Sequence, residues 1–131
     1  MATGIKINDE CITNFNQLKL EKKAKYLTFS MNDQATEVVL TKVGEKDSSF
    51  ADFVAALPKD DCVYAVLDFN FQHEGRDVNK IIFVNWAPDS ARVKRKMIYA
   101  GTKAVLKDKL VGISFEVQAT DLSEIDEKTV L

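Results

Sequence analysis

Two dense apolar runs, residues 63–71 and 80–86, limit what this chain can become. Each is far shorter than the ~20 residues a membrane span needs. Runs of this kind are predicted as central strands buried on both faces, so the sheet that holds them needs a covering layer on each side. The segment between them, with His73, Gly75, Arg76 and Asp77, is polar enough to read as their connecting loop.

The rest of the chain supplies edges and covers. Asn8 can cap a first helix, with Ile7 and Ile12 placed as a hydrophobic staple, and Cys11, Phe15 and Leu18 follow at helical spacing. Residues 26–31 alternate, putting Leu27, Phe29 and Met31 on one strand face. Residues 37–43 form a second β-rich run that Gly44 is expected to end. Ser49 and Asp52 fit a capping box for a helix that carries Phe50, Phe53, Val54 and Leu57 and stops at Pro58. A long helix is predicted over 89–110, capped by Asp89 or Ser90 and followed by Gly112, spanning roughly 30 Å. Its core face is assigned to Val93, Met97, Ala100, Ala104 and Val111. Phe115, Val117 and Ala119 mark a last strand, and Asp121 with Glu124 fits the cap of a final helix. The order α-β-β-α-β-β-α-β-α implies an α+β fold, a mixed α/β sandwich around one sheet of about five strands.

At 131 residues the chain fits one domain, and 46% apolar with 29% charged residues is the composition of a globular one. Cys11 and Cys62 fit no metal or redox spacing; a single disulfide and two buried reduced thiols are both open, and we expect the thiols. The start, Met-Ala-Thr-Gly-Ile-Lys, resembles neither a secretory signal nor a myristoylation site, so the chain is read as reduced, intracellular and soluble. Little supports catalysis. The one histidine, His73, sits among polar residues, Cys62 has no activating partner, and the carboxylate pairs Asp60–Asp61 and Asp126–Glu127 read as solvated. Phosphate-loop, dinucleotide, zinc-protease and nucleophile-elbow motifs do not occur. No enzyme activity, cofactor or metal is expected.

Charge is distributed unevenly. Arg92, Lys94, Arg95, Lys96, Lys103, Lys107 and Lys109 face only Asp108 within their stretch, whereas Glu116, Asp121, Glu124, Asp126 and Glu127 dominate beyond Gly112. A helical wheel puts Arg92, Lys96, Tyr99 and Lys103 on one stripe, taken as the outer face. A solvated face is the plain explanation. However, Lys94-Arg95-Lys96 lies in the first turns of the helix, where the macrodipole disfavours positive charge. Cations kept at that cost point to an acidic protein surface, a phosphoinositide or nucleic acid. The net charge of −2 and the lack of an RNA-binding aromatic motif argue against nucleic acid.

The stretch Trp86-Ala87-Pro88-Asp89-Ser90-Ala91, continuing into Lys94-Arg95-Lys96-Met97-Ile98-Tyr99-Ala100, strongly resembles the ADF/cofilin family. Asn14-Phe15-Asn16-Gln17-Leu18-Lys19-Leu20, Leu57-Pro58, Asp61 through Phe69, and Val117-Gln118-Ala119-Thr120-Asp121 agree in order and spacing. The resemblance implies a single ADF-homology domain over residues 1–131. It implies a cytoplasmic, cytoskeleton-associated, monomeric protein that binds actin monomers, with the ADP form preferred, and promotes filament depolymerisation. Members insert the long helix between two actin subdomains, helped by the N-terminus and the start of the last helix. The matching positions are Thr3, Gly4, Lys94, Arg95, Lys96, Met97, Asp121 and Glu124. Core packing competes as an explanation of Met97, and simple helix capping as one of Asp121 and Glu124.

Thr3 stands where the family usually has a regulatory Ser, and a phosphate there would add about −1.5 to −2 charge and weaken binding. The lysines also make phosphoinositide binding an expectation. On the filament-binding side Lys80 is retained, Val78 replaces a frequent basic residue, and the sequence stops at Val130-Leu131, short of the usual charged tail. Monomer binding is therefore expected intact and severing weakened. Two rivals remain: a coactosin-like filament binder without depolymerising activity, and a phosphoinositide-responsive adaptor.

Overall fold

A computed structural model describes residues 5–21, 24–32 and 36–120. In chain order the elements are β1 (Lys6–Ile7), α1 (Asp9–Asn16) with a π-helical turn at Gln17–Glu21, β2 (Ala24–Met31), β3 (Glu37–Glu45), α2 (Phe50–Ala55), β4 (Val63–His73), β5 (Arg76–Trp86), α3 (Val93–Lys109) and β6 (Phe115–Ala119). The predicted last helix lies outside the described residues.

The strands form one mixed sheet in the order β1-β3-β2-β4-β5-β6. The four inner strands are antiparallel to one another, while β1 runs parallel to β3 and β6 parallel to β5 at the two edges. The count is six because the short β1, too brief to leave a pattern in the sequence, pairs Lys6 and Ile7 with Glu37 and Val38.

The two apolar runs are the centre, as their composition requires. β4 alternates within its buried stretch: Tyr64 and Val66 join one core, Val63, Ala65 and Leu67 the other. The first core holds Leu27, Phe29, Met31 and Phe83 against Cys11, Phe15 and Leu18 of the first helical segment and Tyr99, Leu106 and Leu110 of the α3 region. The second packs Tyr26, Ile82, Val84 and Trp86 against Phe53 and Leu57 around α2. Helical covers on both faces are what keep β4 and β5 dry.

Three expectations are corrected. The segment carrying His73, Arg76 and Asp77 is not a loop: the strands run on to the register His73↔Arg76, and only Glu74 and Gly75 turn. Both have positive φ, 52° and 78°, the two-residue turn whose twist matches antiparallel strands. Gly44 does not end β3, which continues to Glu45 because Gly44 pairs with Tyr26.

The third correction concerns α3. It starts at Val93, not Asp89, and its N-cap is Arg92, which makes no side-chain capping bond. Its buried face is Tyr99, Thr102 and Leu106, continued by Leu110. The proposed core residues Val93, Met97, Ala100, Ala104 and Val111 are all exposed, and Tyr99, assigned to the outer stripe, is fully buried. The larger side chains at the middle of the helix won: Tyr99 and Leu106 bury more apolar area there than Ala100 and Ala104 could.

The two helix starts read from the sequence hold. Asn8 accepts from Glu10 N at 2.9 Å, and Ser49 and Asp52 form a reciprocal capping box. Cys11 and Cys62 are buried free thiols. Among the described residues no helix is long and apolar enough to cross a membrane, and no cluster of potential ligands could hold a metal.

Candidate binding surface

The α3 start is fastened from below rather than capped. Trp86 Nε1 donates to Pro58 O at 2.6 Å, and Ser90 Oγ donates to Lys59 O at 3.1 Å. Two residues on, Arg95 reaches Asp61 with Nε to Oδ1 at 2.8 Å and Nη2 to Oδ2 at 3.4 Å. Segment 58–61 thus meets the β5–α3 connection and the first turns of α3. Below this junction, Tyr64 OH donates to Tyr99 O, and Met31 N donates to Tyr99 OH at 2.8 Å, anchoring the helix to β4 and β2. Burial pushes both tyrosine hydroxyls above their ordinary pKa, so they stay protonated donors and acceptors at neutral pH.

What this anchoring leaves outward is an apolar stripe with cations beside it. Val93 and Met97, one turn apart, are each 69% exposed, and Ala100 and Ala104 continue the stripe. Lys94 is exposed, and Lys96 is half-buried with Nζ at 3.4 Å from Asp89 O. Arg92 and Lys94 make no ion pair among the described residues. The competing explanation of Met97 as core packing is thereby removed.

The basic helix is less basic than its sequence. Lys103 and Lys107 both bind Glu116, at 2.7 and 2.6 Å, and Lys103 also reaches Gln118 Oε1 at 3.3 Å. Partial burial alone would raise the Glu116 pKa, but the two ammonium groups hold it below the ordinary value. The exposed positive charge is therefore concentrated at the beginning of α3. Sequence reasoning missed Glu116 although the signal was present: with Val117 and Ala119 facing the second core, Glu116 and Gln118 must face α3. It also missed Val93 and Asp61.

An apolar cavity of about 560 Å³ adjoins the same end, lined by Val54, Leu57, Pro58, Trp86 and Pro88, with Asp89, Ser90 and Thr120 also at its boundary. Of the residues singled out beforehand, Lys94, Arg95, Lys96 and Met97 lie together on α3. Lys80 does not join them. It sits half-buried on β5, six residues from Trp86 and so about 20 Å along the strand, next to Ile81 at the α3 C-terminal side where Ser114 N donates to Ile81 O. Thr3, Gly4, Asp121 and Glu124 lie outside the described residues.

Comparison with known proteins agrees with this arrangement. The family model described as cofilin/tropomyosin-type actin-binding protein matches residues 4–131. Actophorin of Acanthamoeba castellanii is 50% identical over 128 residues, covering 98% of this chain and 93% of the relative. Cofilin of Mycosarcoma maydis is 44% identical over 132 residues, covering 100% and 94%. The crystal structure of Streptomyces griseoflavus cofilin superposes with a TM-score of 0.91 at 42% identity, covering 97% of this chain and 94% of that one. That family is one of actin-binding proteins rather than enzymes, and the superposition shows that the solved cofilin shares the fold seen here. On sequence and fold together, the chain belongs to the ADF/cofilin family of actin-binding proteins.

Proposed function

We propose that this chain binds actin monomers through the exposed N-terminal half of α3 and promotes filament depolymerisation. Met97 carries the reading: it is 69% exposed on a helix start that is uncapped, cationic and anchored from beneath. An exposed Met or Val forgoes about 1.5–3 kcal/mol of burial, which docking into an apolar groove recovers. Lys94 and Lys96 flank it and suit an acidic rim. Relatives named actin-depolymerizing factor, such as one from Oryza sativa subsp. japonica at 42% identity, support the direction of the effect. By family position, Thr3, Gly4, Asp121 and Glu124 complete the surface and Lys80 serves a weaker filament contact. Preference for ADP-actin, phosphoinositide competition at the lysine-rich start of α3, control through a phosphate on Thr3, a monomeric state and a cytoplasmic location at the cytoskeleton belong to the same proposal.

Sedimentation of actin filaments with increasing protein tests it. Actin is expected to move to the supernatant, and a Lys94→Ala/Lys96→Ala variant that keeps its fold is expected to lose most of the effect. If the protein pellets with filaments and releases no actin, it is a coactosin-like side binder. If the paired variant loses only binding to phosphoinositide vesicles, the lipid adaptor is the correct function.

A further inference from the structure

Arg95 lies between the two lysines of the proposed surface, yet its side chain is turned inward. Only 27% of it is exposed, against 49% for its partner Asp61. Two of its three nitrogens are engaged inward: Nε and Nη2 on the Asp61 carboxylate, and Nη2 also on Tyr99 OH at 3.2 Å, with the guanidinium carbon 5.3 Å from the Tyr99 ring centre. Asp61 is itself held, because its Oδ1 also accepts from Cys62 N at 2.8 Å at the entry to β4. Tyr99 OH in turn accepts from Met31 N on β2. The guanidinium therefore ties the first turns of α3 to the entry of β4 and braces the Tyr99 hydroxyl that meets β2.

This matters because α3 lacks what normally steadies a helix start. Arg92 provides no side-chain cap, the first turn holds no acidic residue, and Lys94, Arg95 and Lys96 oppose the macrodipole. The Asp61 carboxylate supplies from outside the helix the negative charge the first turn lacks. A fork-shaped pair also fixes direction in a way a single lysine contact cannot.

We propose that Arg95 is a positioning residue and not a contact residue: the Asp61–Arg95–Tyr99 clamp sets the pose of the α3 start, and so of Val93, Lys94 and Met97. The inference rests on the actin-binding reading above. A direct contact and a clamp make opposite demands on Asp61. If Arg95 touched actin, removing Asp61 would release it and leave binding equal or tighter. If it acts through the helix, Asp61 and Arg95 are equally needed, and losing both costs no more than losing one.

The experiment compares Arg95→Ala, Asp61→Asn and the double variant by monomer-actin affinity, and by amide hydrogen exchange of Lys96–Tyr99 without actin. Each single variant is expected to weaken binding about three- to tenfold, the double variant no further, and all three to speed exchange in those amides. Loss of binding in Arg95→Ala with normal or tighter binding in Asp61→Asn would overturn the proposal, as would unchanged exchange in both. Lys94→Ala/Lys96→Ala separates the two levels. Full actin binding in that variant sinks the surface and the pose argument with it, while the exchange data still report whether the clamp holds the helix.

Discussion

At the scale of single residues, the structure depends on one absence as much as on any side chain. Gly44 on β3 pairs with Tyr26 on β2, and the tyrosine ring lies over the glycine. A Cβ there would sit 2.1 Å from Tyr26 Cε2 and 2.3 Å from Cδ2. The ring has little room to withdraw, since it is buried and meets Phe53 edge-on at 5.6 Å between centroids. Replacing a strand glycine by alanine normally gains up to about 1 kcal/mol from chain entropy. Here overpacking, at about 1–3 kcal/mol, outweighs that gain. Gly44→Ala is therefore expected to lower the denaturant midpoint, and a stabilised variant would show that the ring moves freely. The sequence presented Gly44 as a strand end because a glycine usually marks one. Only the partner strand reveals that it makes room for a ring.

At the scale of elements, what the sequence disclosed depended on how local the governing physics was. Asn8, Ser49 and Asp52 act within a few residues of themselves, so their caps could be read directly. The β4 and β5 interiors were equally plain, because continuous apolar runs admit few placements. The phase of α3 was not local. Val93, Met97, Ala100 and Ala104 have helical spacing, and so do Tyr99, Thr102, Leu106 and Leu110; periodicity cannot choose between them. The sheet chose the second set, and the first became the exposed stripe. The candidate site was legible as a set of residues but not as a surface, since nothing local told that Arg95 turns inward to Asp61 or that Glu116 holds Lys103 and Lys107.

The α3 start also yields a prediction about a whole element. Arg92 already has the extended backbone of an N-cap, φ −63° and ψ 138°, but no oxygen to offer the orphan amides. Arg92→Ser supplies one and removes a cation from the positive end of the dipole. Stability should rise by about 1 kcal/mol in urea denaturation. No gain would mean that the anchoring from Asp61 already satisfies this end of the helix.

For the molecule as a whole, the first core has a consequence at high pH. Cys11, Cys62, Tyr64 and Tyr99 all belong to it, and burial is the leading cause that raises each of their pKa values. Cys11 is pushed from 9.0 up to about 12, with Glu37 and Glu10 adding to the effect against a lowering backbone bond. An unfolded chain gives up these protons from about pH 9 for the thiols and about pH 10 for the phenols, whereas the folded chain keeps them. Above those values the unfolded state binds fewer protons, so stability is full below pH 9 and falls as pH rises. The slope is about 1.4 kcal/mol per pH unit for each group once its unfolded form is ionised. Glu116 has the opposite sign: its lowered pKa adds stability above the ordinary carboxylate value that is lost as pH falls through the folded one. Unfolding free energies measured between pH 8 and 10.5 should therefore bend downward in two stages, thiols first. Cys11→Ala should lessen the slope between about pH 9 and 10, leaving the share of Cys62 and the tyrosine stage above it, whatever it does to stability at pH 7. An unchanged slope in that variant would mean that the Cys11 thiolate forms inside the fold as readily as outside, against a core that fully excludes its side chain from water.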